Sequence, residues 1–299
     1  MNLNSQQLHQ LKQLAIQAAQ AAGAIINVHR HRSVQIQQKN VGSSAASQIV
    51  TEVDHLAQAA IVAILQPSCA EYDLALLAEE SSDDGLRHKK PAFWCIDPMD
   101  GTLAFVKGEA GFSVSIALVG QNSQSLIGVV FDPVTETLFS AVRGQGAYKN
   151  GQLMRPPELD LTQPLVLTTD FSFQQHPWLQ QTQTRLDKIA AVMGLPRAEI
   201  RFRIGAVLNA CDILERANHC YFKYPREGNS GGSLWDYAAT ACLFHELGLV
   251  AMDIYGESLE LNRFGSTFMN HRGLLYAADV QLAAEVVALQ QRISQTQQR

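Results

Sequence analysis

The sequence predicts an α/β protein in two parts, α+β over roughly the first 160 residues and α/β after them. Three observations carry this reading. The first half opens with two helical periodicities and then runs into consecutive strand patterns, as when helices layer on a sheet. In the second half, strand and helix patterns alternate. The chain has 299 residues, 46% of them hydrophobic, enough to bury a sizeable core without disulfide staples.

The elements follow in order. Leu8, Leu11, Leu14, Ala15, Ala18, Ala22 and Ile25 recur at three- and four-residue steps, which predicts a long first helix. Residues 39–46 read as a polar loop. A second helix is expected from Thr51 to about residue 65, stopping before Pro67 because proline cannot donate to the helix ladder. Strands are expected over 74–78, 92–96, 113–118, 126–132 and 137–141. Gly144-Gln145-Gly146 and Asn150-Gly151 are turn signals between strands. A boundary near residue 160 separates parts 1–160 and 161–299. Beyond it the pattern predicts strands at 165–168, 200–202, 220–223, 250–254 and 274–277. Helices are predicted at 180–193, 206–217, 235–247 and 282–293.

Composition narrows the function. Charged residues make up 17% of the chain, against roughly 25% in an average soluble domain, so disorder is excluded. No apolar run approaches the roughly 20 residues that span a membrane. With 23 basic and 28 acidic residues the formal net charge is −5, which disfavours a nucleic-acid polymer as partner. A small anion stays compatible, since a bound cation overrides net charge locally. Five cysteines, odd in number and without a CxxC pair, suggest neither a disulfide framework nor a zinc site. Residues 1–20 lack a basic start followed by an apolar stretch, so no signal peptide is read and a cytoplasmic location is expected.

The chemistry concentrates in Trp94-Cys95-Ile96-Asp97-Pro98-Met99-Asp100-Gly101-Thr102. An apolar strand delivers two acids, three residues apart, into a turn that Pro98 fixes and Gly101 leaves open to a ligand. Paired carboxylates of this kind hold magnesium, which prefers oxygen ligands and leaves positions for phosphate oxygens. A helix starting near Thr102 would aim the Gly101 and Thr102 amides at that phosphate. Taken alone, the pair reads as a turn in which Asp97 caps a helix and Asp100 is solvated. Further acids change the weighting. Glu79 and Glu80 end an apolar run, Asp54 opens a helix behind Thr51, and Asp236 opens another behind Trp235. Neither GxGxxG nor GxSxG is present, which disfavours a dinucleotide oxidoreductase and a serine hydrolase.

The order Thr51-x-x-Asp54, Glu79-Glu80-Ser81, Asp97-Pro98-x-Asp100-Gly101-Thr102-x-x-Phe105 and Trp235-Asp236-x-Ala238-Ala239 resembles the inositol monophosphatase superfamily of magnesium-dependent, lithium-sensitive phosphatases. The resemblance implies a five-layer αβαβα sandwich and two or three Mg2+ per site. It implies that Glu79, Asp97, Thr102 and the Met99 carbonyl surround an activating metal. Asp97, Asp100 and Asp236 would hold a second one. Asp54 would pair with Thr102 to deprotonate the attacking water, and the amides of Gly101 and Thr102 would receive the phosphate. Most of the metal ligands then lie in 1–160, with Asp236 and substrate contacts in 161–299. The family includes monomers and homodimers, so oligomeric state stays open.

Within the family, residues 97–118 and Tyr224-Pro225-Arg226 are similar to the 3'(2'),5'-bisphosphate nucleotidases, and Lys107 and Arg226 would then contact a second phosphate. There are departures. Leu103 stands where that branch commonly carries lysine, and the 205–209 segment lacks the lysine of its GxSxK motif. Arg203-Ile204-Gly205-Ala206 instead resembles the inositol monophosphatases, whose substrate-contacting glutamate has no match ahead of Trp235; residues 229–233 stand there. The expected function is a Mg2+-dependent phosphomonoesterase of a bisphosphate nucleotide. The alternatives are an inositol or sugar monophosphate as substrate, and an inactive metal-binding relative.

Overall fold

Asn4 and Gln7 exchange side-chain and backbone hydrogen bonds, closing a capping box that starts helix α1 (Ser5–His29). The computed structural model describes residues 3–30, 32, 36–38, 49–228 and 231–297. The loop predicted at 39–46, with Asn229 and Ser230, lies outside them. A short antiparallel pair, β1 (Ile36–Gln38) and β2 (Ile49–Thr51), leads into α2 (Glu52–Tyr72). This helix does not stop before Pro67 but runs through it. The turn beyond the proline is held by packing: Ser68 Oγ donates to the Leu65 carbonyl and accepts from Nε1 of the fully buried Trp94. Asp73, in the left-handed conformation, ends the helix.

A seven-stranded sheet follows. It comprises β3 (Ala75–Ala78), β4 (Ala92–Asp100), β5 (Ser113–Gly120), β6 (Ser125–Asp132), β7 (Thr137–Val142), β8 (Ala147–Lys149) and β9 (Gln152–Leu153), ordered as in the sequence. β3 pairs parallel to β4, and each later neighbour is antiparallel. The six-residue α3 (Thr102–Lys107) interrupts the run after β4.

The chain crosses to a second sheet between Leu153 and Leu165. Its strands are β10 (Leu165–Thr169), β11 (Ala198–Phe202), β12 (His219–Lys223), β13 (Val250–Met252) and β14 (Leu274–Ala277), in spatial order β11-β10-β12-β14-β13. β10 is parallel to both neighbours, and β14 is antiparallel to its own. Helices α4 (Leu179–Val192), α5 (Ala206–Cys211), α6 (Leu234–Glu246) and α7 (Val280–Gln297) complete the fold. The single helix predicted over 206–217 is two pieces: α5 gives way to a 3-10 turn at Asp212–Glu215. The 250–254 strand is shorter than predicted, ending at Met252.

Strand alternation builds the layers. Ala92, Trp94 and Ile96 of β4 pack in one core with α1 and α2. Phe93 and Cys95, pointing the other way, join α5, α6 and Tyr221 and Tyr276 of the second sheet. The far face of that sheet packs on α4 and α7. The result is a five-layer αβαβα sandwich with α5 and α6 in the middle. α6 lies close on the first sheet, because a side chain at Gly128 would meet the Ala239 carbonyl at 2.2 Å. Ser115 and Ser125 donate to the Trp235 and Ala238 carbonyls. All five cysteines are buried in this interior without disulfides, and no helix among the described residues is long and apolar enough to cross a membrane.

Candidate active site

β4 is buried along its whole length, including its last residues, Asp97 and Asp100. The acids do not lie in a free turn, as the sequence suggested. They sit on a bulged strand end: Asp97 pairs with Ser115 and Asp100 with Ser113, and the register shifts between them. The bulge re-aims the two carboxylates. Asp97 Oδ1 accepts the Met99 N–H at 2.9 Å. Asp100 accepts the Ala206 and Val207 amides at 3.1 and 2.8 Å, so it caps α5 from the other sheet's side of the molecule.

Asp236 arrives from the middle layer. Ser233 caps α6, and the Asp236 carboxylate reaches back to the Ser233 N–H at 2.7 Å. Carboxylate oxygens of Asp97, Asp100 and Asp236 all lie within 4.8 Å of one another. The Glu79 N–H donates to the Ile96 carbonyl, which holds Glu79 against the end of β4. Gln58 of α2 clamps the same turn through the Glu80 N–H and Ser81 Oγ.

The same capping device presents Asp54. Its carboxylate accepts the Thr51 N–H and hydroxyl at 2.7 and 2.6 Å. Its other oxygen accepts from Thr102 Oγ1 at 3.0 Å. That hydroxyl also lies 3.2 Å from the Met99 carbonyl. Gly101 precedes Thr102 with φ +89°, and a side chain there would strike the Gly111 carbonyl at 2.4 Å. Gly205, at φ +87°, meets the same carbonyl at 2.3 Å. Neither position accepts a larger residue without strain.

Electrostatics mark this cluster as short of positive charge. Burial, then Glu79, Asp236 and Asp100, hold the Asp97 carboxyl well above its usual range. Burial and Asp236 push Asp100 up to about 8, against the opposing pull of the two α5 amides and Lys223. Burial and Glu79 raise Asp236 to about 6. Asp54 is raised as well, by burial and more weakly by Glu79, although Thr51 opposes this. Carboxyls raised by burial and by one another fit a divalent cation. All the donors are hard oxygens, with neither histidine nor cysteine among them, which suits magnesium.

Two predicted substrate contacts lie outside the acidic cluster itself. Lys107 is exposed at the C-terminal end of α3, away from Thr102 at its start. Arg226 follows β12; its Nη2 donates to Ser172 Oγ at 3.3 Å and it lines a cleft with Asp170, Ser172 and Lys223. Lys223 and Asp170, paired at 2.8 Å, went unread in the sequence. The available signal was the one that found Glu79: a charged residue at the end of an apolar strand.

A family model described as the inositol monophosphatase family matches residues 7–295. The chain belongs to that family. It is 34% identical over 251 residues to the Nus factor SuhB of Vibrio cholerae, covering 83% of this chain and 87% of the relative. The fold of this family member is similar to that of the extragenic suppressor protein suhB from Bartonella henselae, with a TM-score of 0.71, 22% identity, and coverage of 93% and 97% of the two chains. It is equally similar to the inositol monophosphatase from Anabaena, with a TM-score of 0.70, 21% identity, and coverage of 95% and 96%. Membership accounts for the four motifs falling around one cluster, and metal binding and phosphatase chemistry are general properties of the family.

Proposed function

We propose that this family member is a Mg2+-dependent phosphomonoesterase acting on a small phosphate ester. The observation that carries this is the convergence of Asp97, Asp100 and Asp236 beside a Thr102–Asp54 hydrogen bond. Glu79, Asp97 and the Met99 carbonyl would hold one cation, and Asp97, Asp100 and Asp236 a second. Bound cations supply Lewis acidity to an attacking water and to the leaving oxygen. Thr102 would orient that water and pass its proton toward Asp54, whose carboxylate accepts the Thr102 hydroxyl at 3.0 Å. The amides of Gly101 and Thr102, at the cap and first position of α3, would receive the phosphate.

An inactive regulatory relative has no use for the Thr102–Asp54 pair, so its presence supports catalysis. Within the family we favour a 3'(2'),5'-bisphosphate nucleotide as substrate. Support comes from the 97–118 and Tyr224-Pro225-Arg226 similarities, and from Arg226 lying in a cleft beside a second cation. The exposed position of Lys107 makes it the weaker contact. The net charge of −5 supports a small ester over a nucleic-acid polymer. The test is phosphate release from a panel holding adenosine 3',5'-bisphosphate and inositol 1-phosphate, with Mg2+, with EDTA and with added Li+. Release that needs Mg2+ and falls with Li+ is expected. A preference of about a hundredfold for inositol 1-phosphate, worth about 2.7 kcal/mol, would replace the nucleotidase reading with the inositol phosphatase one.

A further inference from the structure

Gln58 of α2 is only 8% exposed. A carboxamide in such a place is costly unless its polar atoms are paired. Both ends are: Oε1 accepts the Glu80 N–H and Nε2 donates to Ser81 Oγ, each at 2.8 Å. No proposed catalytic step uses this side chain, yet both of its partners belong to the turn that carries Glu79.

The place of that turn in the fold explains why it needs holding. β3 is an edge strand of the first sheet, hydrogen-bonded to β4 on one side. Beyond its end the Glu79 N–H donates to the Ile96 carbonyl at 3.1 Å, and the Ser81 N–H to the Ala78 carbonyl at 3.2 Å. Among the described residues no second strand pairs with β3, so further support comes from α2, which covers one face of the sheet. Asp54 lies one helical turn before Gln58, and both are buried, which puts them on one face of α2. Glu79 is close enough to Asp54 for its charge to oppose ionisation there. One helix thus carries the proposed proton acceptor and, through Gln58, sets where the Glu79 turn stands against it. A glutamate side chain has one more torsion than an aspartate, so its reach depends the more on a fixed backbone.

We propose that Gln58 is a positioning residue for cation binding: by tying the Glu80 N–H and the Ser81 hydroxyl to α2, it fixes the turn from which Glu79 reaches the cation it shares with Asp97. This rests on the reading above in which Glu79 is a cation ligand, and it adds the residue that keeps Glu79 in place. Partners that orient a metal's ligands typically contribute about 10–100-fold in affinity.

Calorimetric Mg2+ titration of the full chain, without substrate, tests it. Gln58→Met has a similar volume and loses both hydrogen bonds. It is expected to weaken Mg2+ binding by about tenfold or more. Ser68→Ala is the structural control: it loosens the same helix where Ser68 holds Leu65 and Trp94, away from the Glu79 turn, and should leave the Mg2+ affinity within about twofold of wild type. Ser81→Ala removes one of the two ties and stands in if Gln58→Met does not fold; about threefold weaker binding is then expected, and a smaller change overturns the proposal. A folded Gln58→Met with Mg2+ affinity within about twofold of wild type, or a loss matched by Ser68→Ala, also overturns it. Phosphate release gives a second readout. Gln58→Met should raise the Mg2+ concentration for half-maximal rate by about tenfold while kcat at saturating Mg2+ stays within about threefold of wild type. Glu79→Gln in the same titration keeps the two readings apart. Unchanged affinity there removes Glu79 as a ligand and the role of Gln58 with it, whereas weakened binding there beside an unaffected Gln58→Met removes the role of Gln58 alone. If no ester is hydrolysed the phosphatase reading falls, while the Mg2+ affinities still decide for or against Gln58.

Discussion

Asp97 is 1% exposed and accepts the Met99 N–H, with three other acids close enough to oppose its ionisation. Asparagine at this position keeps the volume and removes the charge. Asp97→Asn is therefore expected to lose Mg2+-dependent turnover by at least about a hundredfold. Without metal it should melt no lower than the wild type, since a neutral amide replaces a carboxyl whose ionisation burial and the neighbouring acids oppose. Phosphate release and metal-free thermal unfolding check both halves, and near-normal turnover in the folded variant would defeat the assignment. Gly101 gives the opposite outcome. At φ +89°, with the Gly111 carbonyl 2.4 Å from where a side chain would begin, Gly101→Ala should cost about 1–3 kcal/mol in equilibrium unfolding. At this scale the acids were legible because each stands at an element end, Glu79, Asp97 and Asp100 where apolar strands stop and Asp54 and Asp236 where helices start. Lys223 and Asp170 carry the same strand-end signal, but nothing in one sequence says that the ends of β10 and β12 lie side by side.

Two helices hand their acids to the site by the same local device. In α2 and α6 a Thr or Ser caps the first turn, and the Asp three residues on reaches back to it. The motif is thus a folding signal and a site signal together. Thr51→Ala removes a hydroxyl that both caps Val53 and donates to Asp54. The expected cost is about 1 kcal/mol of stability, together with a fall in kcat larger than any change in KM, because Asp54 loses an orienting partner. Urea unfolding and steady-state kinetics measure the two parts. An unchanged kcat would mean that Asp54 does not act through this bond. The capping signals made α2 and α6 readable at their starts. Their stops were harder: Pro67 reads as a terminator, yet buried contacts around Ser68 and Trp94 carry α2 past it. The same limit applies at Asp212, where helical periodicity continues but the backbone tightens to a 3-10 turn.

Across the whole molecule, the cluster joins layers that the chain builds far apart. Asp97 and Asp100 come from the first sheet and Asp236 from the helix layer between the sheets, while Asp100 also caps α5. The motif resemblance alone implies the layer order, and alternation in β4 explains why it holds. A cation bound only by the native state stabilises it by about 2.7 kcal/mol at a hundred times its dissociation constant, so Mg2+ should raise the unfolding temperature and EDTA lower it. The pH dependence has a definite sign. In the metal-free native protein Asp236 is raised to about 6 and Asp100 to about 8, whereas unfolded aspartates titrate at about 3.9. The native state therefore holds protons that the unfolded chain has released. Stability from these groups is fully present below the unfolded value and is lost as pH rises toward 8. Cation binding expels those protons. Unfolding temperatures between pH 5 and 8 should thus fall more steeply in EDTA than in Mg2+, and calorimetric Mg2+ titrations near neutral pH should depend on the buffer's ionisation enthalpy. Parallel pH profiles with and without Mg2+ would show that these carboxyls do not hold the cation.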